Sequence, residues 1–307
     1  MFVGQNSITI DRTFQCLLFD LGHTLWYRDE RDLSQLEREA NQRAIDILRQ
    51  TQQSSPLLSE NDSEAGRLLR DMLLKQFKIE IEKDPYIEPL GSTMVQQVLH
   101  ASGWQNADPA LGQAIFDALQ VNIARSRRLF ADTISTLQKL QTRGFQMGIV
   151  TNRYWGGVPF REDLQRMGLL TYLDYGKMAI SADLHIRKPN PDIFLHALNA
   201  CNADVKTTMM VGDSLIADVA GSQQLGIFAV WKPQNYAEIQ AHMEANEGIS
   251  VAEYNQRQMD LFKKEGLAAS LAQRIGEDEY PAMECFARGH IRPQLIIDNL
   301  SELLSWL

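Results

Sequence analysis

Only three of the 307 residues are cysteine: Cys16, Cys201 and Cys285. They are odd in number, far apart and in no CxxC pair, which argues against a disulfide framework or a structural zinc site and fits a reducing cytoplasm. Cys16 sits in an apolar run and reads as a small core residue rather than a nucleophile. Positive charge is scarce too, with 30 Lys and Arg against 39 Asp and Glu, a formal charge of −9. Such a chain attracts nucleic acid and anionic membranes weakly, and a cation is the easier match. No run approaches the roughly 20 apolar residues needed to cross a bilayer. The opening MFVGQNSITIDRTFQ lacks the basic-then-apolar order of a secretory signal. The expectation is a cytoplasmic protein with neither nucleic acid nor membrane as partner.

What the chain has is an ordinary globular composition, 44% apolar and 22% charged, sufficient to bury a sizeable core and to exclude global disorder. The run Cys16-Leu17-Leu18-Phe19 ends abruptly at Asp20-Leu21-Gly22 and reads as a strand buried on both faces. Leu33, Leu36, Ala40, Ala44 and Leu48 then recur at three- and four-residue steps, predicting a helix to about residue 50. A polar stretch from Thr51 to Asp62 reads as a loop. Helical spacing resumes at Leu68, Leu69, Met72, Leu73 and Phe77, and again from Ala110 to Ile123. Residues 26–128 are therefore expected to be all-helical.

Beyond that block the pattern alternates. A helix over Thr133 to Gln141 stops at Gly144, and a strand from Phe145 to Val150 ends at Thr151-Asn152. Further helices are expected over 161–167, 191–200 and 215–224, with strands at Thr208 to Val211 and Ile227 to Trp231. This alternation implies βαβ units, so the expected fold class is α/β, a doubly wound, mostly parallel sheet. The stretch 234–290 is polar and helix-prone, broken at Asn246-Glu247-Gly248. A last strand, Leu295 to Asp298, precedes a closing helix from Leu300 to Leu307. One α/β core (14–25, 129–233 and 291–307) thus carries two helical insertions, 26–128 and 234–290.

Ligands of open α/β sheets bind beyond the carboxyl ends of the strands. Asp20, Thr151-Asn152, Lys188, Asp213 and Asp218 fall at or near such ends. A lone Asp after a strand is commonly a turn former, and Gly212-Asp213-Ser214 can be a plain helix cap. Together they point elsewhere. Asp20 and Asp213 on neighbouring strands would repel unless a cation lay between them. Oxygen-only ligands with open positions suit Mg²⁺, and a hydroxyl (Thr151) with an ammonium (Lys188) completes an anion cradle. Phosphoryl chemistry is the expectation.

Phe19-Asp20-Leu21-Gly22-His23-Thr24-Leu25, Ile149-Val150-Thr151-Asn152, Arg187-Lys188-Pro189-Asn190-Pro191-Asp192-Ile193-Phe194 and Val211-Gly212-Asp213-Ser214, followed by Val219-Ala220-Gly221, resemble the four motifs of the haloacid dehalogenase-like hydrolase superfamily. The resemblance covers residues 14–232 and 294–307. The helical insertion between the first two motifs is similar to the lid of its cap-bearing subfamily. It implies a phosphatase or phosphotransferase acting on a small phosphorylated metabolite, with Asp20 as nucleophile forming an aspartyl-phosphate. It further implies Mg²⁺ on the Asp20 carboxylate, the Gly22 carbonyl and Asp213, with Asp218 supporting the metal's water shell or Lys188. Thr151 and the Asn152 amide would grip the phosphoryl oxygens, and Lys188 would neutralise charge.

One departure matters. The acid that usually stands two positions after the nucleophile is Gly22, and His23 follows. Three readings stay open: a substrate such as an acyl phosphate that needs little protonation, a substitute acid with His23 nearest, or a phospho-ligand-binding or regulatory protein on a weakened scaffold. Carbon–halogen hydrolysis would not call for Asp213 and Asp218. A cap lysine forming an imine, as in phosphonate cleavage, would be Lys75, Lys78 or Lys83, which read equally as solvated helix charges. Tyr154-Trp155-Gly156-Gly157 either shapes the pocket or packs under the insertion. Arg125, Arg127 and Arg128 are anion holders or hinge charges.

Overall fold

The computed structural model describes residues 14–52, 55–59, 61–104, 106–265 and 282–307. Strand β1, Cys16–Phe19, has no side chain that prefers water, and all four residues are 0% exposed. Successive strand residues face opposite ways, so Leu17 and Phe19 enter one hydrophobic layer and Cys16 and Leu18 the other. Burying such side chains contributes roughly 1.5–3 kcal/mol each, which places β1 in the middle of the sheet.

Two short strands, β2 (Trp26–Arg28) and β3 (Arg127–Leu129), bracket the first insertion. Then come β4 (Gln146–Thr151), β5 (Met178–Ile180), β6 (Thr208–Gly212), β7 (Phe228–Trp231) and β8 (Leu295–Ile296). The six-stranded sheet runs β5-β4-β1-β6-β7-β8, and every neighbouring pair is parallel. With hydrophobic layers on both faces, the fold is the expected doubly wound α/β type. The carboxyl ends of β4, β1 and β6 consequently lie side by side.

Among the described residues between β2 and β3 the longer helices are α1 (Glu30–Gln50), α2 (Asp62–Lys83), α3 (Gly91–Ala101) and α4 (Pro109–Ala118). Asp29, Asn61 and Asp108 cap three of them through side-chain acceptors. Leu48, Leu69, Phe77, Val95 and Trp104 share a core separate from those of the sheet. The insertion is not purely helical: β2 and β3 pair antiparallel, Arg28 opposite Arg127, and three-residue strands are too short to show a period. For the same reason β5 was not expected. The helix anticipated to run to Ile123 stops at Ala118. There Asp163 accepts from Ile123 N at 2.6 Å and Asn122 Nδ2 at 2.8 Å, and Asn122 caps a fresh turn, Ile123–Ser126.

The second insertion contributes helices Tyr236–Asn246, Val251–Glu265 and Ala282–Ala287, with the break at Gly248 (φ 68°). Its Ile239, Met243 and Phe286 pack with Trp231 and Ile296 of the sheet. Asn255 donates to Ile296 O (2.7 Å) and accepts from Ile296 N (2.8 Å), which satisfies the open edge of β8. Part of that expected segment, 266–281, lies outside the described residues. Among the described residues no helix is long and apolar enough to cross a membrane, and the three cysteines are buried and unbridged.

Candidate active site

Asp20 follows β1 directly and is held there by its amide, which donates to Val211 O at 2.9 Å. Thr151 ends β4, and Asp213 follows β6. A cavity of about 500 Å³ at these strand ends is lined by Asp20, Gly22, Thr151, Asn152, Lys188, Asp213 and Asp218. All seven residues singled out from the sequence thus meet in one place. A larger open groove of about 780 Å³, beside Gln146 and Lys177 at the other end of β4, gathers none of them.

Lys188 is the electrostatic centre. Its Nζ, 3% exposed by side chain, donates to Asp20 Oδ1 (2.6 Å), Asp218 Oδ1 (2.6 Å) and Val150 O (2.7 Å). Those contacts use all three ammonium protons. Burial works against its charge, but Asp20 and Asp218 outweigh it and hold the pKa above the ordinary lysine value. The side chain of Asn152 grips the Lys188 backbone, accepting from Lys188 N (2.8 Å) and donating to Lys188 O (2.9 Å). With all three protons engaged, Lys188 can donate to a bound anion only when one of these contacts is released.

Asp218 lies in a π-helical turn, Leu215–Ala220, and its second oxygen accepts from Ser214 N at 2.9 Å. Gly212 permits this, since a Cβ there would sit 2.2 Å from Asp218 Oδ2. Asp213 accepts from Gln234 Nε2 at 2.7 Å, and its carbonyl from Trp231 Nε1 at 2.8 Å. Nothing in the sequence marked Gln234, because its partner is fixed only by the turn after β7. Burial first, then the charge of Asp20, raises the Asp213 pKa. Burial likewise raises Asp218, with Asp20 and Asp213 adding to it against the pull of Lys188.

Carboxylate oxygens of Asp20, Asp213 and Asp218 lie within 4.8 Å of one another. Three clustered carboxylates, only two of them paired with a lysine, offer oxygen donors that fit a hard divalent cation such as Mg²⁺. Gly22 imposes no barrier to a side chain, since a Cβ would find only Asp20 Oδ2, at 3.8 Å. His23 is exposed, has φ 52° and stands in the cavity wall. Lys75 is exposed on α2, Lys78 and Lys83 pair with Glu82 and Glu80, and none lines the cavity. Tyr154 stacks on Phe77 (4.1 Å) and Trp155 on Phe116 (4.8 Å), so this pair packs under the helical insertion. Arg125 pairs with Glu39 and Arg128 with Asp29, whereas Arg127 faces the cavity. Arg153 lines it as well, and was missed although it directly follows Thr151-Asn152.

This sheet, with aspartates at its central strand ends, agrees with comparison to known proteins. A family profile described as haloacid dehalogenase-like hydrolase matches residues 66–232, over half of the chain, and the chain belongs to that family. Asp20 lies ahead of the matched stretch. The chain is 32% identical over 124 residues to "Haloacid dehalogenase-like hydrolase domain-containing protein 3" of Danio rerio, covering 39% of this chain and 48% of that protein. It is 33% identical over 96 residues to a glyceraldehyde 3-phosphate phosphatase of Pyrococcus abyssi, 31% of this chain and 38% of that one. It is 34% identical over 112 residues to a phosphoserine phosphatase of Thermus thermophilus, 35% and 43%. The aligned stretches thus span less than half the length of these relatives. A solved 2-haloacid dehalogenase from Pseudomonas syringae pv. Tomato DC3000 superposes with a TM-score of 0.53 at 21% identity, over 95% of this chain and 97% of that one. That likeness is one of fold.

Proposed function

We propose that the protein is a Mg²⁺-dependent phosphatase of a small phosphorylated metabolite, with Asp20 as nucleophile. The observation carrying this reading is the Asp20–Lys188–Asp218 cluster, with Asp213 within cation-sharing distance. The curated relatives named as phosphatases support the same class. Asp20, Asp213 and the Gly22 carbonyl would hold the cation. When bound, the cation supplies charge neutralisation at the transferring phosphoryl group. Asp218 holds Lys188, and Lys188 holds Asp20 Oδ1, which leaves Oδ2 to attack phosphorus. Thr151 Oγ1 and the Asn152 amide would receive the phosphoryl oxygens. Attack breaks the bond from phosphorus to the ester oxygen, which departs as the alcohol with a proton from solvent. Water then cleaves the aspartyl-phosphate to free Asp20 and inorganic phosphate.

Residues 26–128 act in this reading as a cap over the core (14–25, 129–233 and 291–307), with β2 and β3 as its hinge. Its separate hydrophobic core supports that role. The described part of the 234–290 segment is a side layer on the core. Three buried, unbridged thiols favour a cytoplasmic setting.

Gly22 favours a second reading, a phospho-ligand-binding protein of low turnover, because the position two residues after Asp20 carries no carboxylate. Hydrolysis of p-nitrophenyl phosphate with Mg²⁺ separates the two, since nitrophenolate leaves without protonation. Turnover that Asp20→Asn abolishes supports the phosphatase. Tight phosphate-ligand binding with no turnover of this activated ester overturns it.

A further inference from the structure

The cavity wall contains four arginines besides Lys188: Arg28, Arg127, Arg153 and Arg187. Two are neutralised. Arg28 pairs with Glu30 (3.0 Å) and Glu37 (3.3 Å), and Arg187 with Glu88 (3.1 Å). The other two make no ion pair within 4.0 Å among the described residues. Arg127 donates only to its neighbour's carbonyl, Ser126 O, at 2.9 Å. Arg153 donates to Trp155 O at 3.1 Å, and its guanidinium lies 3.9 Å from the centre of the Phe160 ring.

Both arginines are half-buried. Burial, with Arg127 adding its repulsion, pushes Arg153 down to about 10, and burial with Arg28 lowers Arg127. Both stay cationic at neutral pH. Asp20 and Asp163 attract Arg153, and Glu30 and Glu37 attract Arg127, but only from beyond ion-pair distance. Two partly desolvated like charges therefore lack a direct partner that an incoming anion would supply. The carboxylates of the catalytic end are not paired with either arginine: Asp20 and Asp218 are hydrogen-bonded to Lys188 and Asp213 to Gln234. Position separates the two ends as well. Asp213 and Asp218 follow β6 on one side of β1, whereas Arg153 follows β4 on the other side and Arg127 sits on the hinge strand β3.

We propose that Arg127 and Arg153 form a second anion subsite, so that the substrate is a phosphate ester carrying a further anionic group, carboxylate or phosphate, on its leaving-group side. The proposal rests on the phosphatase reading for its chemistry and on the unpaired guanidinium groups for its selectivity. A planar fork of donors suits either anion.

The test compares kcat/KM of the whole protein with Mg²⁺ for phosphoglycolate and for ethylene glycol bisphosphate against neutral-tailed 2-hydroxyethyl phosphate. Charge-assisted contacts of this kind predict a preference of about tenfold or more for at least one doubly anionic ester, and the better of the two identifies the anion. Arg127→Gln and Arg153→Gln should each bring that ratio towards one, while Arg127→Lys should retain part of it. Equal loss on all three esters, or no preference in the wild type, overturns the subsite. Binding is read separately by calorimetry, with phosphonoacetate against methylphosphonate on the Asp20→Asn protein. If no ester is hydrolysed but phosphonoacetate binds about tenfold tighter and Arg127→Gln removes the difference, the subsite stands and the phosphatase reading falls. Turnover without any preference leaves the phosphatase and removes the subsite.

Discussion

Gly22 and Gly212 are both glycines of the candidate site, yet the surroundings ask for only one of them. At Gly22 an added Cβ meets nothing closer than 3.8 Å, at Asp20 Oδ2, so Gly22→Asp should fold. If leaving-group protonation limits the rate, the variant should raise kcat for alkyl phosphates by up to roughly 10²-fold and leave aryl phosphates little changed. An unaltered alkyl rate in a folded variant would count against that account. Gly212→Ala is the opposite case, because its Cβ would overlap the Asp218 carboxylate at 2.2 Å. Moving Asp218 deprives one N–H of Lys188 of its acceptor, so stability should fall by about 1–3 kcal/mol and turnover should fall with it. Denaturant midpoints and kcat check this, and wild-type values for both would show that Gly212 does not set the position of Asp218. Arg153 shows where reading residues in order stops: it adjoins a motif, but its lack of an ion pair is a property of three-dimensional neighbours.

At the scale of elements, a strap joins the helical insertion to the loop carrying Lys188. Glu88 N donates to His185 O (3.3 Å) and Arg187 N to Tyr86 O (3.0 Å), while Glu88, 1% exposed by side chain, pairs with Arg187. Burial raises the Glu88 pKa even though Arg187 and a hydrogen bond from Ser181 pull it down. A raised carboxyl pKa means that its contribution to stability is full below the ordinary glutamate range and is lost as pH rises through the shifted value. Glu88→Gln should therefore gain on the wild type in melting temperature as pH climbs from about 4 to 7. A difference that stays flat or falls would contradict this. Glu88→Ala, which leaves Arg187 unpaired, should destabilise at neutral pH by about 3 kcal/mol, measured by denaturant unfolding. None of this was legible in the sequence, since Glu88 and Arg187 are 99 residues apart. The strands and helices of the core were legible, because buried parallel strands are written as short apolar runs and helices as three- and four-residue steps. Strands β2, β3 and β5 were not, being too short for a period, and the helix expected past Ala118 was cut by Asp163 from a distant helix.

Across the whole molecule, one sheet places Asp20, Thr151 and Asp213 on adjacent strand ends, and that shared geometry is why four separated motifs could be read as one site. The insertions differ in what they cover. The first packs on Tyr154 and Trp155 and is tied to the Lys188 loop by the Glu88 strap, whereas the described part of the second packs against Trp231 of β7 and Ile296 of β8. Asn255→Ala should consequently lower global stability by about 1–3 kcal/mol, as expected when buried backbone groups of Ile296 lose their partner, and leave kcat unchanged. A kinetic defect without loss of stability would assign that segment to catalysis instead. The most direct measurement is mass spectrometry of the wild-type protein, acid-quenched during p-nitrophenyl phosphate turnover in Mg²⁺ and digested. The account predicts a phosphoryl group on the peptide containing Asp20, lost on hydroxylamine treatment and absent from Asp20→Asn. Steady turnover with that peptide unmodified, or with the label on another residue, would contradict it.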